Sequence, residues 1–368
     1  MKRFVGGALL SLFVLLPVRA AWGQDNVYYV KKDKPKEEIK LVGTIEEESP
    51  RGIRIKVRKD VLNIPAADVR QVGYKHPKIA VADFRAPHVK ELRALDPKTS
   101  AKVRKQNLEA ALELYQKLAP LVRDQANANR YVQFKIAQVT AQLARDDPGR
   151  MDAAVAGLTT YKNDFATGWE IAAALKLLAR LLEARGDAVG AGKAYEELAA
   201  VPDVPPEVKQ ESDILVARMY LRGKKYAEAE RKLQALAKTM ASTDPQKPYI
   251  KVYLAQSQLA QNRLDKVKEQ LTEAIKTSTE PNLRALAYNG LGDYYLGKGQ
   301  PEEAFWSYLR VEVQYNQDRE EEAKALFHLR TLFDKVKRDP IRARQCADKL
   351  LGKQFTGTAY QKQAFSEK

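Results

Sequence analysis

The sequence predicts a mainly α protein: an α-helical solenoid of about six helix hairpins, preceded by a small β-barrel or curled antiparallel sheet. Two observations support this fold class. An apolar triplet recurs every 37 to 39 residues between 154 and 350, and residues 27–74 alternate between apolar and polar side chains. A fixed period of this length indicates stacked units, because one unit buries its apolar face only against its neighbours. Strict alternation indicates strands.

Each triplet begins with a small or β-branched residue, which is followed by apolar residues four and seven positions later. Side chains at these spacings share one face of a helix, so each triplet predicts one buried helical face. The six triplets are Ala154/Leu158/Tyr161, Ala191/Tyr195/Leu198, Ala229/Leu233/Leu236, Val267/Leu271/Ala274, Ala304/Tyr308/Val311 and Ala343/Ala347/Leu350.

Turn residues divide the clearest unit into two helices. Gly297 and Gly299 follow an apolar helix, and Pro301 with two glutamates opens the helix that contains Ala304. Glycine permits a tight turn, while proline suits the first turn of a helix. Because Gly292 and Ala304 are both small, we expect the two helices to cross there.

This unit resembles a tetratricopeptide repeat. The residues that match the family pattern are Tyr288, Leu291-Gly292, Tyr295, Gly299, Ala304, Tyr308 and Val311. The resemblance covers residues 107–351, although the period exceeds the family's usual ~34 residues and no proline follows Val311 at the repeat end. It implies stacked hairpins whose first helices line a concave groove, and a protein-interaction scaffold or adaptor as the function.

If the family's geometry applies, six polar residues face this groove and contact partner proteins. They are Lys176, Arg180, Arg218, Gln256, Asn289 and Asp293. The first three are cations, which suit acidic or extended partner segments through charge-assisted hydrogen bonds. The family's clamp for a C-terminal carboxylate is not reproduced as a set, so recognition of chaperone tails is not predicted.

The alternating segment predicts a β-hairpin at the front of the chain. Pairing residues whose numbers sum to 100 places Ile45 opposite Ile55 and Glu46 opposite Arg54, which leaves one face buried and the other solvated. Further short strands are predicted up to Tyr74. The segment resembles a small SH3-like barrel.

The hairpin also carries the sharpest basic feature of this module. The row consists of Arg54, Lys56, Arg58 and Lys59. It is either a solvated face, partly neutralised by the glutamates at 46–48, or an anion-binding site. No aromatic residues are interleaved with it, so it gives no specific signal for nucleic-acid binding.

The segment after the β module is predicted as a connector. Ile79, Val81 and Phe84 allow one more strand, but Pro87 and Asp96-Pro97 favour a linker before a first long helix at 101–122, which caps the array. The predicted divisions are a signal peptide at 1–23, a β module at 24–80, a linker at 81–106, helical repeats at 107–351 and a C-terminal tail at 352–368.

The N-terminus predicts an exported protein, periplasmic or secreted. Lys2-Arg3 precede an apolar run from Phe4 to Leu16, which is shorter than the ~20 residues that span a bilayer. Small residues in Ala21-Trp22-Gly23 favour cleavage before Gln24, with Val18-Arg19-Ala20 as the second choice. Retention of the segment as an anchor is the alternative.

Charge and chemistry narrow the function classes. The net charge of +16 is spread along the chain, which suggests a solvated surface or, as the alternative function, direct binding of anionic cell-envelope polymers. Three histidines and the single Cys346 lack metal-site spacing, and no nucleophile elbow or phosphate-binding glycine loop occurs. We therefore expect no enzyme activity, no cofactor and no metal, and a binding scaffold of the cell envelope.

Overall fold

The computed structural model describes residues 23–31 and 33–366, so residues 1–22 of the predicted signal peptide lie outside it. Five strands come first: β1 (Asp25–Lys31), β2 (Lys34–Ser49), β3 (Gly52–Val57), β4 (Asp60–Pro65) and β5 (Val69–Gly73). The α-helices of the described residues are α1 (Val81–Leu95), α2 (Ala101–Leu118), α3 (Ala126–Ala144), α4 (Met151–Asp164), α5 (Ile171–Arg185), α6 (Ala188–Ala200), α7 (Pro206–Arg222), α8 (Tyr226–Thr239), α9 (Lys247–Ala260), α10 (Val267–Thr277), α11 (Pro281–Gly297), α12 (Pro301–Gln314), α13 (Arg319–Lys335), α14 (Pro340–Leu350) and α15 (Ala359–Ser366).

The strands form one antiparallel sheet in the order β4-β3-β2-β1-β5. Its outer strands, β4 and β5, do not pair with each other, so the sheet is open and the barrel alternative is wrong. The long strand β2 pairs with β1 through its first half and with β3 through its second half.

The predicted hairpin register is correct at one end and wrong at the other. Ile45 pairs with Ile55, as expected, but a bulge in β2 places Glu47 rather than Glu46 opposite Arg54. One extra residue in a strand shifts every later pair, and alternation alone does not reveal such an insertion. Arg54 nevertheless lies within 3.5 Å of a carboxylate oxygen of Glu46 and 2.9 Å of one of Glu47.

Residues Val81–Leu95 form helix α1, so the predicted linker at 81–106 is wrong over most of its length and no final strand forms there. Phe84, Pro87, His88, Glu91 and Ala94 follow helical spacing and are buried. The helix tolerates its proline and packs against α2 and β5, which leaves only 96–100 as a connector. The sheet and α1 to α3 share a single hydrophobic core, so the β module is not structurally separate from the helices.

The helices after the sheet form seven consecutive hairpins in the described part of the chain, α1/α2 to α13/α14. The six predicted triplets lie on α4, α6, α8, α10, α12 and α14, the second helix of each hairpin from α3/α4 onward. All members of the first five triplets are buried, whereas Ala343 and Ala347 of the sixth are half-buried. None of the described helices combines the length and apolar character needed to cross a lipid bilayer.

The crossing predicted at Gly292 is confirmed. A Cβ atom placed on Gly292 would lie 2.5 to 2.7 Å from ring atoms of Tyr308, so only glycine lets α11 and α12 approach this closely. Among the first helices of successive hairpins, α3 packs on α5, α7 on α9, α9 on α11 and α11 on α13. The first helices therefore line the inner side of the array.

The predicted C-terminal tail is also corrected. Residues Lys353–Phe355 form a short 3-10 turn, with Phe355 buried against the last hairpin, and α15 packs against α13. The Gln361 side chain donates hydrogen bonds to the carbonyls of Leu350 (3.1 Å) and Gly352 (3.0 Å), which caps the end of α14. The Lys362 ammonium group donates to the Arg185 carbonyl (3.1 Å), so α15 contacts the end of α5.

A buried arginine joins the β module to the repeats. The guanidinium of Arg130, on α3, contacts Glu48 of β2 and Glu170, which precedes α5 and lies 2.9 Å away. The Tyr74 hydroxyl donates to Glu48 at 3.2 Å. Burial raises the pKa of Glu170, with Arg130 opposing this shift.

A second buried pair links α1 to α3. The Lys135 ammonium group lies 2.7 Å from Glu91, and the Tyr115 hydroxyl donates to the same carboxylate at 2.6 Å. Burial opposes ionisation of Glu91, but the charge of Lys135 and hydrogen bonds from Lys135 and Tyr115 outweigh it and lower the pKa of Glu91 to about 2. The carboxylate is therefore ionised in the folded protein at neutral pH.

We predict that this pair makes the fold sensitive to acid. Because the pKa of Glu91 is lower in the folded than in the unfolded chain, its stabilisation is complete above about pH 4.5 and is lost as the pH falls toward about 2. Glu91→Gln should lower the free energy of unfolding at neutral pH by about 3 kcal/mol and flatten its acid dependence, as measured by urea denaturation at several pH values. Glu269→Gln, on an exposed position of α10, is the control. Equal acid profiles for the Glu91→Gln variant and the unmodified protein would contradict the prediction.

Candidate functional site

The structure places all six predicted groove residues on first helices, which line the inner side. Lys176 and Arg180 lie on α5, Arg218 on α7, Gln256 on α9, and Asn289 and Asp293 on α11. Their contacts divide them into two groups.

Four of the six bind the next first helix along the array. The Lys176 ammonium group lies 2.9 Å from a carboxylate oxygen of Glu211, and the Gln256 amide donates to the Leu286 carbonyl at 3.4 Å. The Asn289 amide donates to the Glu321 carboxylate at 2.7 Å. These contacts, together with the Asp293 contact described next, form a polar ladder that holds neighbouring repeats in register.

Asp293 is the most heavily engaged member of the ladder. Its carboxylate accepts a hydrogen bond from the Tyr308 hydroxyl at 2.7 Å and pairs with the Lys324 ammonium group of α13. Burial lowers the pKa of Lys324, but Asp293 and other acidic neighbours outweigh that effect and raise it. The His328 ring stacks on Tyr308 with centroids 4.5 Å apart. These contacts join α11 to α12 and α13 and therefore stabilise the packing of the last two hairpins.

The partners of the ladder were missed from the sequence, although a signal for them exists. Glu211 lies 35 residues after Lys176, Glu321 lies 32 after Asn289, and Lys324 lies 31 after Asp293. Pairs of complementary polar residues separated by about one repeat therefore indicate such a ladder. The pattern of polar residues on a single helix does not reveal these pairs.

The two arginines form the second group. Arg180 is exposed and Arg218 is half-buried, and neither forms an ion pair or side-chain hydrogen bond within the described part of the chain. The Tyr253 phenol raises the pKa of Arg218, burial lowers it, and Glu183, Asp318 and Glu321 raise it further. Asp318 directly precedes α13 and Glu321 lies on it, three hairpins further along the array than α7.

The four residues of the basic row in the β module differ in their surroundings. Arg54 is paired with Glu46 and Glu47, whereas Lys56 is exposed on the same strand. Arg58 and Lys59 lie in the turn between β3 and β4, where Arg58 has a positive φ of 56°. The row is therefore one paired arginine beside three exposed cations.

A cavity that the sequence did not predict lies near the front of the array. It has a volume of about 780 Å³ and is lined by α2, α3, α4 and the segments that flank them. A smaller space of about 290 Å³ lies beside Gln256 and Asp293. Volumes of several hundred Å³ are typical of ligand sites.

The comparisons with known proteins bear on the fold. No family model matches the sequence, and no curated protein matches it. Among solved structures, a tetratricopeptide repeat protein from Parabacteroides merdae matches 76% of this chain and 99% of its own length, with a TM-score of 0.54 and 14% identity. The helical array has the tetratricopeptide-repeat fold. At this identity the likeness shows the fold alone.

Two further structures resemble the tetratricopeptide-repeat array more weakly. The C-terminal part of a TPR repeat-containing protein from Cytophaga hutchinsonii covers 72% of this chain and 95% of its own, with 14% identity and a TM-score of 0.39. Yeast Tom70 covers 80% of this chain and 66% of its own, with 12% identity and a TM-score of 0.41.

We predict that Asp293 acts in stability and not in partner binding. Asp293→Asn leaves Lys324 half-paired in a largely buried position, so the free energy of unfolding should fall by about 2–3 kcal/mol in urea denaturation. Asp348→Asn, on an exposed position of α14, should leave stability unchanged within about 0.5 kcal/mol. An Asp293→Asn variant with unaltered stability would show that the cluster does not hold the repeats together.

Proposed function

We propose that this chain is a non-catalytic protein-interaction scaffold of the cell envelope, which binds an extended acidic segment of a partner protein on its inner side. One observation carries the proposal. The polar ladder engages four of the six inner residues and leaves Arg180 and Arg218 without ion-pair partners. The tetratricopeptide-repeat fold supports a protein as the partner.

The chemistry of the two arginines fits carboxylates. A guanidinium group offers parallel N–H donors that match a carboxylate in a bidentate pair, and partial burial strengthens such a pair relative to a fully solvated one. Two of the acidic groups that raise the pKa of Arg218 have other hydrogen-bond partners: Asp318 accepts from the backbone N–H of Glu320 and Glu321, and Glu321 accepts from the Asn289 amide.

We propose an extended segment because it presents a side chain about every 3.3 Å along its length, so that separate acidic residues can reach Arg180 on α5 and Arg218 on α7.

The first prediction from this proposal concerns the arginines. Arg180→Glu combined with Arg218→Glu should reduce capture of partner proteins from a cell-envelope extract at least tenfold, because two charge-assisted contacts become repulsive. Arg231→Glu combined with Arg344→Glu makes the same charge change at exposed positions on second helices and should leave capture unchanged. Capture is measured with immobilised protein and quantitative mass spectrometry. Equal capture by both double variants would falsify the arginine site.

The second prediction concerns the location of the protein. We expect the exported chain to begin at Gln24, because small residues precede it and the apolar run is too short to span a bilayer. Intact-mass measurement of the protein from periplasmic, secreted and membrane fractions tests this. A chain that retains Met1 in the membrane fraction would instead support an uncleaved anchor, and a chain that stays in the cytoplasm would contradict export.

A further inference from the structure

The cavity of about 780 Å³ is a cleft between two second helices. Helices α2 and α4 both pack on α3, and the cleft runs over α3 between them. Neither Arg180 nor Arg218 lines it. Its lining on α4 extends from Ala153 to Asp164, which corresponds to about 16 Å, or about five residues of extended chain.

The lining is electrically balanced and rich in amides. Arg123 and Asp164 are its only charged members, so the cleft carries no net charge although the whole chain carries +16. The side-chain amides of Gln116, Asn129 and Gln133 line it, and none of them forms a hydrogen bond within the described residues. Each amide offers both a donor and an acceptor, the same pair of groups that a peptide main chain presents.

Gly157 keeps one wall of the cleft open. It is an interior residue of α4, where glycine destabilises a helix relative to alanine. The fold does not require it, because a Cβ atom at this position would meet only the Ala137 Cβ, at an ordinary 3.9 Å. Gly292 differs, since Tyr308 excludes any side chain there. A side chain larger than that of alanine at this position would project into the cleft, which Gly157 lines.

We propose that this cleft is a second binding site, which takes an uncharged peptide segment in extended conformation. The three amides pair with its main chain, and Ala137, Ala153 and Gly157 let that main chain approach the helices closely. The site uses residues other than Arg180 and Arg218 and prefers an uncharged rather than an acidic segment, so its test is independent of the function proposed above.

A peptide-display experiment tests the site. A phage library of random 12-residue peptides is selected on the immobilised full-length protein, and the enriched peptides are synthesised and titrated by calorimetry. We expect enriched peptides with a run of about five residues free of Asp, Glu, Lys and Arg. Their affinity should fall at least tenfold for Gly157→Leu, which fills the cleft, and for Gln133→Ala, which removes an amide without filling it.

Two variants serve as controls. Gly157→Ala adds only the Cβ that fits, so it should retain affinity and confirm that an altered helix α4 is not the cause. Arg180→Glu combined with Arg218→Glu should also retain it. Any of four results would overturn the proposal: no enrichment of such peptides, affinity of Gly157→Leu and Gln133→Ala unchanged from that of the unmodified protein, loss of binding only in the arginine double variant, or a change of oligomeric state by Gly157→Leu in light scattering, which would make a second copy the occupant.

Discussion

The structure depends on the close approach of two helices at a small side chain. Gly292 on α11 meets the Tyr308 ring of α12 so closely that no side chain fits there, and in each of the five hairpins from α3/α4 to α11/α12 the second helix carries a fully buried Ala or Val, at 154, 191, 229, 267 and 304. A single hairpin packed in this way still exposes apolar surface, which only the next hairpin covers. Stacking is therefore a requirement of the sequence, and the sheet with α1 to α3 closes the front of the stack with a shared core.

The same stacking determines which polar residues remain available to a partner. The first helices of successive repeats bring their side chains within hydrogen-bond reach, so Lys176, Asn289 and Asp293 become part of the scaffold. Arg180 and Arg218 are not part of the ladder, because no carboxylate lies at ion-pair distance from them within the described residues. In a repeat protein, an inward-facing position is thus a necessary condition for binding but not a sufficient one. Whether an inward-facing residue can bind a partner depends on which side chains the neighbouring repeat places beside that residue.

Periodicity predicted the repeats because it reports local burial, and it failed where burial depends on distant or polar contacts. The triplets located the second helices, and alternation located Ile45 opposite Ile55. Helix α1 was missed because its buried face includes His88 and Glu91, polar residues that are usually exposed. Glu91 is buried because it pairs with Lys135, which lies 44 residues later in the sequence. Helix α15 was missed for a related reason, since its contacts are made with α13 and the end of α5. The family's geometry predicted which residues lie on the first helices. Their partners depend on the exact offset between repeats, and a period that varies from 37 to 39 residues does not determine that offset.

The hydrogen bond from Lys362 to the Arg185 carbonyl distinguishes this array from a linear solenoid. In a linear solenoid each unit touches only its neighbours, folding can begin anywhere, and the last unit is free to fray. Here a contact across 177 residues joins the last helix to the third hairpin. Such a contact forms only after the intervening loop has closed, so it adds a late, entropically costly step to folding and ties the opening of the C-terminal end to the integrity of a repeat far along the chain.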